Sequence, residues 1–385
     1  MPLHDKSKQY DVVIAGAGPA GCACALALKD AGLKVALLDK ATFPRDKVCG
    51  DAIPGRAIKT LSAIDQNYEA AFKHFTEKCE TKRTSLYYKE RSITFDWVGS
   101  AYTCTRMDFD NFLLTLVKDH TATDIFTSTL PHLFTATNGG ISIAIKNNDI
   151  DFHAKILIGA DGAQSAVAKQ LTSKTLDRAH HVGSVRAYFS GVANLENSTT
   201  EIYFEKKFLP SYLWVFPLPG NMANVGFGML SAEIARRKVD LKKVFYDFIE
   251  QTPRLKERFR NAVQVGDLQG FGLPLGSRIT TISGDNFMLS GDAASLIDPI
   301  SGDGIGNAML SGKLAAEQAV KCFQAGNFTK GFMHGYDDAL LGKLANELKM
   351  RYKTQRILSS MPILLDGVFL ACRSKALKRF IQKGL

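Results

Sequence analysis

Gly16-Ala17-Gly18-Pro19-Ala20-Gly21 lies between an apolar run at 10–15 and a small-residue run at 22–28. Glycines at this spacing serve phosphate binding. Gly16 makes the tight turn from strand to helix, Gly18 lets the backbone approach a pyrophosphate, and Gly21 allows helix and strand to pack closely. The helix N-terminus then offers the phosphates unpaired N–H groups and a partial positive charge. A second strand at 34–38 ends in Asp39, near the offset at which an acid accepts hydrogen bonds from an adenosine ribose. Together with Pro19, Ala20 and Lys40 on the same turns, these are the first candidate cofactor contacts. The pattern defines a dinucleotide site and does not separate FAD from NAD.

Far downstream, a strand at 286–289 delivers Gly291 and Asp292 to a turn. A carboxylate there can hold the ribityl hydroxyls of a flavin. Residues 299–306 then form a glycine-rich loop, with Gly302, Gly304 and Gly306, before a helix at 307–313. Its N-terminus would point at the flavin pyrimidine edge, where negative charge accumulates on reduction.

Segments so far apart must be brought together by interleaved lobes. The pattern predicts a cofactor lobe in three pieces, 1–75, 106–181 and 276–325, a second lobe at 76–105 and 182–275, and a helical tail at 326–385. The first piece reads as βαβ plus a loop to about residue 71. A helix opens at 106–112 with Asp108 near its N-terminus, and strands are expected at 125–130, 141–145 and 155–158, the last ending in Gly159-Ala160-Asp161-Gly162. Alternation predicts strands at 184–189, 200–204, 212–216 and 223–229, interrupted by a helical stretch at 232–249. Antiparallel strands with a helix fit a sheet that roofs a cavity. The expected class is α/β, a Rossmann-type lobe joined to an α+β lobe with a discontinuous antiparallel sheet. From Lys313 onward the chain reads as helix, with an apolar stretch at 361–372 followed by Arg373, Lys375, Lys378, Arg379 and Lys383. That end is either a packed helix with a solvated basic face or a membrane-surface anchor.

A chain of 385 residues suits two lobes and a tail, and its 45% hydrophobic and 22% charged residues are ordinary for a globular protein. Residues 1–9 lack the apolar stretch of a secretion signal, and no run approaches the about 18 apolar residues of a membrane span. A cytoplasmic protein is expected. The seven cysteines make neither a disulfide framework nor a zinc pattern, and His180 and His181 fit no metal spacing. The formal charge of +10 suits an anionic partner. Lipid head groups are preferred to nucleic acid, because no nucleic-acid module is recognisable.

Residues 16–21, Gly159-Ala160-Asp161-Gly162 with Ser165, and Gly291-Asp292 with Gly304 resemble the three signatures of the para-hydroxybenzoate-hydroxylase-like flavoproteins, over about residues 10–320. The resemblance implies FAD rather than NAD alone. Within that superfamily, Pro44-Arg45-Asp46-Lys47-Val48-Cys49-Gly50-Asp51 is similar to the Lys-x-Cys-Gly segment of the geranylgeranyl reductase family. Tyr212-x-Trp214-x-Phe216-Pro217, followed by Gly226-x-Gly228, is similar to that family's Tyr/Phe-x-Trp-x-Phe-Pro motif with its later glycine. The resemblance implies that Ala20, Asp39, Cys49, Gly50, Arg106, Leu130, Asp161, Gly291, Asp292, Gly304 and Ile305 serve the FAD site, with Arg106 near its polar spine and the Leu130 backbone near the adenine. Arg45 is a candidate for the diphosphate. Tyr212, Trp214, Phe216, Pro217 and Gly226 would line an apolar channel. Alternate residues on a strand share a face, so the three aromatics form either one channel wall or ordinary sheet core. Cys49 is the catalytic candidate, or else a small packing residue.

The activity this resemblance implies is reduction of C=C bonds in a geranylgeranyl or other isoprenoid chain, with reduced FAD supplying hydride and a proton coming from solvent or a nearby donor. NADPH or reduced ferredoxin would supply the electrons. An alternative is an FAD-dependent monooxygenase or halogenase acting on an aromatic or polyketide-like substrate. The Trp214 segment also resembles the Trp-x-Trp-x-Ile-Pro signature of flavin halogenases, with Tyr212 and Phe216 replacing two of its members. A third reading is a non-catalytic flavin- or lipid-binding protein, which the intact flavin loops oppose.

Overall fold

Val12, Val13 and Ile14 are wholly buried, as expected for a parallel strand covered on both faces. In the computed structural model, which describes residues 7–278, 280–360 and 363–372, their strand, Lys8–Ala15, lies inside an eight-stranded sheet. The parallel order is Phe287–Leu289, Phe152–Gly159, Lys8–Ala15, Val35–Leu38, Asp124–Phe126. Register sets Ala15 beside both Leu38 and Gly159, and Gly159 beside Leu289. Gly16, Asp39, Ala160 and Ser290 therefore leave the sheet at one edge, the carboxyl ends where open parallel sheets bind ligands. A hairpin of Pro131–Thr137 and Gly140–Ile145 joins the sheet through antiparallel pairing with Phe152–Gly159. Helix Ile305–Ala325 packs on helix Pro19–Ala27 so closely that a Cβ on Gly312 would lie 2.1 Å from the Ala20 carbonyl oxygen.

The second sheet has the order Val263–Pro274, His181–Ser190, Met222–Leu230, Tyr212–Leu218, Thr199–Phe204, Cys79–Tyr88, Arg91–Thr103, Ala52–Ile53. Its two faces differ. Val185, Leu213, Val215 and Phe227 pack under helices Leu241–Gln251 and Pro253–Arg258 through Phe245, Phe248 and Leu255. On the other face, register aligns Tyr188, Asn224 and Phe216 in one row and Arg186, Gly226 and Trp214 in the next. The expected α/β fold is thus present, but the second sheet is mixed, antiparallel except where Thr199–Phe204 runs parallel to Cys79–Tyr88 and joins its two sequence segments.

Several local expectations need correction. The helical stretch at 232–249 is two helices, Ser231–Arg237 and Leu241–Gln251, separated where Lys238 turns left-handed (φ 52°) and Asp240 caps the second. The loop expected before residue 71 carries helices Gly55–Ile64 and Gln66–His74. The strand at 125–130 is only Asp124–Phe126, because Ser128 turns left-handed (φ 52°). The helix expected at 307–313 begins at Ile305 and runs to Ala325, where Gly326 (φ 60°) stops it. Helix Lys330–Ser360 then folds back, burying Met333, Tyr336, Leu340, Leu344 and Leu348 in the core of the first sheet. Leu365 and Phe369, on helix Ile363–Ala371, pack against Tyr88, Ile93 and Phe95 of the second sheet. The basic run from Arg373 to Lys383 lies outside the described residues.

Candidate flavin site

Gly18 caps helix Pro19–Ala27 without a side-chain hydrogen bond. A Cβ there would have the Nη2 atoms of Arg45 and Arg106 as neighbours, at 3.8 and 3.9 Å. Free amides and two guanidinium groups therefore face one small space, a cradle suited to a diphosphate. Arg106 is fixed by a fork to Asp110, one turn later on helix Arg106–His120, with Nε–Oδ1 at 2.7 Å and Nη2–Oδ2 at 2.6 Å. Arg45 Nη1 lies 2.9 Å from the same buried carboxylate. Gly16 (φ 109°) and Gly21 admit no side chain: their Cβ atoms would lie 2.3 Å from the Ala160 oxygen and 1.8 Å from the Gly16 oxygen.

Asp39 accepts from the Ala17 amide at 2.8 Å and the Ala41 amide at 2.9 Å, which holds its carboxylate against the glycine turn. Lys40 is exposed beyond it. Leu130 sits nearby: Thr129 N donates to the Asp39 oxygen at 2.8 Å, while the Leu130 oxygen accepts from Lys146 N. Asp161 has a structural task, its Oδ2 accepting from Ala166 N at 2.7 Å and Val167 N at 3.2 Å at the start of helix Ala166–Leu171.

Gly291 (φ 62°) passes between two helices, where a Cβ would lie 3.2 Å from both Ala20 and Ala308. Asp292 follows, paired with Lys47 at 3.2 Å. Lys174 donates to the Ala293 oxygen at 2.7 Å and the Asp292 oxygen at 3.3 Å, and burial pulls its ammonium down to about 8. Gly304 caps helix Ile305–Ala325 with no side-chain bond, and a Cβ on it would lie 3.3 Å from Asp292 Oδ1. Asp292 thus converges on the start of that helix, where Asp303 Oδ1 accepts from the Ile305 amide at 3.1 Å.

The loop before the helix is braced from three sides. Asp298 pairs with Arg351 at 3.1 Å, Gln355 donates to the Pro299 oxygen at 2.7 Å, and Tyr212 of the second sheet donates to the Ser301 oxygen at 2.6 Å. Burial, aided by the Asp298 charge, pushes the Asp303 carboxyl up to about 7.

Tyr212, Trp214 and Phe216 form a row with ring centroids 6.4 and 6.3 Å apart. The Trp214 indole lies flat on Gly226, where a Cβ would come within 2.1 Å of it. Pro217 does not join this row. Period two turns it to the helix-covered face, opposite Ala223. A Cβ on Gly50 would lie 3.6 Å from both Trp214 and Phe216, so the Cys49–Gly50 turn abuts the row. Cys49 is half-buried, and burial pushes its thiol up while Arg106 opposes the shift.

A polar cluster joins this turn to the sheet. Asn224 accepts from Trp214 Nε1 at 2.8 Å and donates to the Cys49 oxygen at 2.8 Å and to Asp51 Oδ2 at 2.7 Å. Tyr188 donates to the same Asp51 oxygen at 2.8 Å. Arg186 contacts both oxygens of Asp46 at 3.0 Å. None of these contacts follows a recognised motif. Asn224 could have been suspected as a polar residue in an apolar strand, since a buried amide needs partners. Asp51 and Lys174 carry no such signal.

A glycine turn facing two guanidinium groups, with Asp292 and the start of helix Ile305–Ala325 gathered beneath a second sheet, fits the para-hydroxybenzoate-hydroxylase-like flavoprotein fold. The chain belongs to the FAD-binding domain family, which matches residues 9–316. It is an FAD-dependent oxidoreductase of the geranylgeranyl-reductase-like kind. It is 28% identical to a digeranylgeranylglycerophospholipid reductase of Methanoculleus marisnigri, over 98% of this chain and 93% of that one. A solved geranylgeranyl bacteriochlorophyll reductase-like structure from Thermoplasma acidophilum shares 26% identity and a TM-score of 0.83, covering 95% and 92% of the two chains. A flavin-dependent brominase, 21% identical with a TM-score of 0.79 over 98% and 93%, shares the fold.

Proposed function

We propose that this enzyme saturates C=C bonds of a geranylgeranyl or similar isoprenoid chain. The observation that carries the reading is the aromatic row Tyr212, Trp214 and Phe216, which faces the Cys49–Gly50 turn and runs beside Gly226 and Gly228. A long apolar chain needs such a wall, and the Methanoculleus marisnigri relative is named for a digeranylgeranyl lipid. Bound and reduced, FAD supplies the hydride. The chain's own residues hold and orient it. Gly16, Gly18, Pro19, Ala20 and Gly21, with Arg45 and Arg106, take the diphosphate. Asp39, Lys40 and the Leu130 backbone border the adenosine end, with Asp161 behind them. Gly291 and Asp292 take the ribityl chain, and the Gly304–Ile305 turn, its Ile305 amide held by Asp303, borders the pyrimidine end. Cys49, held neutral by burial, is the catalytic candidate beside Gly50. NADPH or reduced ferredoxin is the electron source.

Among the described residues, no helix is long and apolar enough to cross a membrane. A cytoplasmic protein that meets lipid through its basic end fits an isoprenoid substrate. The halogenase reading is favoured by the brominase fold match. Against it, Lys47 and Lys174, which approach the site, are engaged by Asp292 and its backbone, and Lys78 lies over Phe72 and Tyr102.

The test is anaerobic. Flavin reduced with dithionite should reoxidise when a geranylgeranyl substrate is added, with product heavier by whole hydrogen pairs. Reoxidation only on admission of oxygen, with a hydroxylated or halogenated product, would put the alternative first.

A further inference from the structure

Saturating an unactivated alkene takes a proton as well as a hydride, and the cluster around Asp51 is built to handle one. Asp51 is completely buried and holds a left-handed backbone (φ 61°), a strained conformation kept only where the surroundings enforce it. Its Oδ2 accepts from both Tyr188 and Asn224, while Oδ1 is buried with no hydrogen-bond partner among the described residues. Arg186, also buried, lies with its guanidinium 4.1 Å from the centre of the Tyr188 ring. Asp51, Arg186, Asn224 and Trp214 are buried, but Tyr188 is half-buried, on the same sheet face as Phe216 and Trp214. Trp214 is tied to the cluster through Asn224.

We propose that Tyr188 is the proton donor of the reduction and that Asp51 is the buried acid that recharges it. This rests on the isoprenoid-reductase reading. In the step, the Tyr188 O–H bond breaks as a C–H bond forms at one alkene carbon, and hydride from reduced flavin completes the other. The Asp51 proton passes to the Tyr188 oxygen, and Asp51 regains a proton from solvent. With Asp51 ionised, the Tyr188 hydroxyl is held as its donor. With Asp51 protonated, the bond reverses and the Tyr188 proton is free to turn toward substrate. Burial and the Asp51 charge hold the Tyr188 hydroxyl protonated well above its usual range, and the Arg186 cation over the ring opposes them, favouring the phenolate as it forms.

Burial pushes the Asp51 carboxyl up to about 6, while Asn224, Arg186, Tyr188 and Arg106 favour its charged form. The other titratable neighbours are Asp46, Cys49 and Cys104. A cavity filled by an apolar substrate would raise this carboxyl further. The rate of proton delivery should therefore be full at low pH and fall as pH rises through Asp51.

The experiment uses the full-length FAD-loaded protein. Infrared difference spectra of the oxidised enzyme between about pH 5 and pH 8 should show a carboxylic acid band that disappears as pH rises, is absent in D51N and is shifted in Y188F. Single-turnover reoxidation by a prenyl substrate should slow by roughly 100-fold or more in Y188F, with flavin content and substrate binding kept. D51N should lose the pH dependence. Wild-type turnover without the titrating band, or Y188F with the wild-type rate and pH profile, would overturn the relay. A titrating band in a protein that reduces no prenyl substrate would overturn the isoprenoid reading and leave the Asp51–Tyr188 pair in place.

Discussion

Asp292 and Asp51 are both acids beside the flavin site, yet their surroundings ask opposite things of them. Asp292 is paired with Lys47 and sits beside the Gly304 turn, where a charged carboxylate is useful. D292A should remove a charge-assisted hydrogen bond to the cofactor of about 1.5–3 kcal/mol and lower the flavin-to-protein absorbance ratio after dialysis. Unchanged flavin content would place the ribityl chain elsewhere. Asp51 instead resists ionisation. Unfolded, it would ionise near about 3.9, whereas burial moves it to about 6 in the fold. Below the unfolded value both states are protonated and no penalty applies. Above about 6 the folded state carries the whole cost, on the order of 3 kcal/mol. D51N should therefore gain stability relative to wild type as pH rises from about 4 to about 7. Thermal denaturation across that range reads the slope, and parallel curves would show that Asp51 ionises normally in the fold.

Elements matter here chiefly where backbones come too close for any side chain. Gly226 lets the Trp214 indole lie on the sheet, and G226A would force it off. The strand should survive, since its opposite face keeps Val225 and Phe227 in the core. Overpacking costs about 1–3 kcal/mol. The expected outcome is weaker binding of long-chain substrates with unchanged FAD content, measured by KM across chain lengths. Equal KM at every length would remove Trp214 from the channel. The same logic applied to Gly312 predicts a different failure. Its Cβ would strike the Ala20 backbone, so G312A should separate the two helices that flank Gly291 and reduce flavin retention itself.

At the scale of the whole molecule, the chain from residue 326 onward is a brace as well as a tail. Arg351 and Gln355 of helix Lys330–Ser360 hold the loop before helix Ile305–Ala325, and helix Ile363–Ala371 packs on the second sheet. The basic run beyond is the candidate lipid contact. Removing residues 373–385 should leave flavin content unchanged and abolish flotation with anionic vesicles, and the intact chain should lose flotation as salt rises. Flotation of the truncated chain would move the contact to another surface.

The glycine spacing at 16–21, the acid at Asp39, the Gly291-Asp292 turn and the alternation of Tyr212, Trp214 and Phe216 were legible because each depends on local geometry: φ freedom, strand-to-helix turning or period two. The same local rule, followed one residue further, already turns Pro217 away from the aromatic face. The breaks at Lys238 and Ser128 were less legible, because left-handed turns at residues other than glycine leave little trace in composition. Sequence alone thus determined the cofactor class, the α/β lobe and the shared face of Tyr212, Trp214 and Phe216. Only the tertiary structure decided which side chains meet across 137 positions to join Tyr188 to Asp51, or 245 to join Lys47 to Asp292. Hydrogen bonds and burial depend on distance in space, and no periodicity along a chain encodes that.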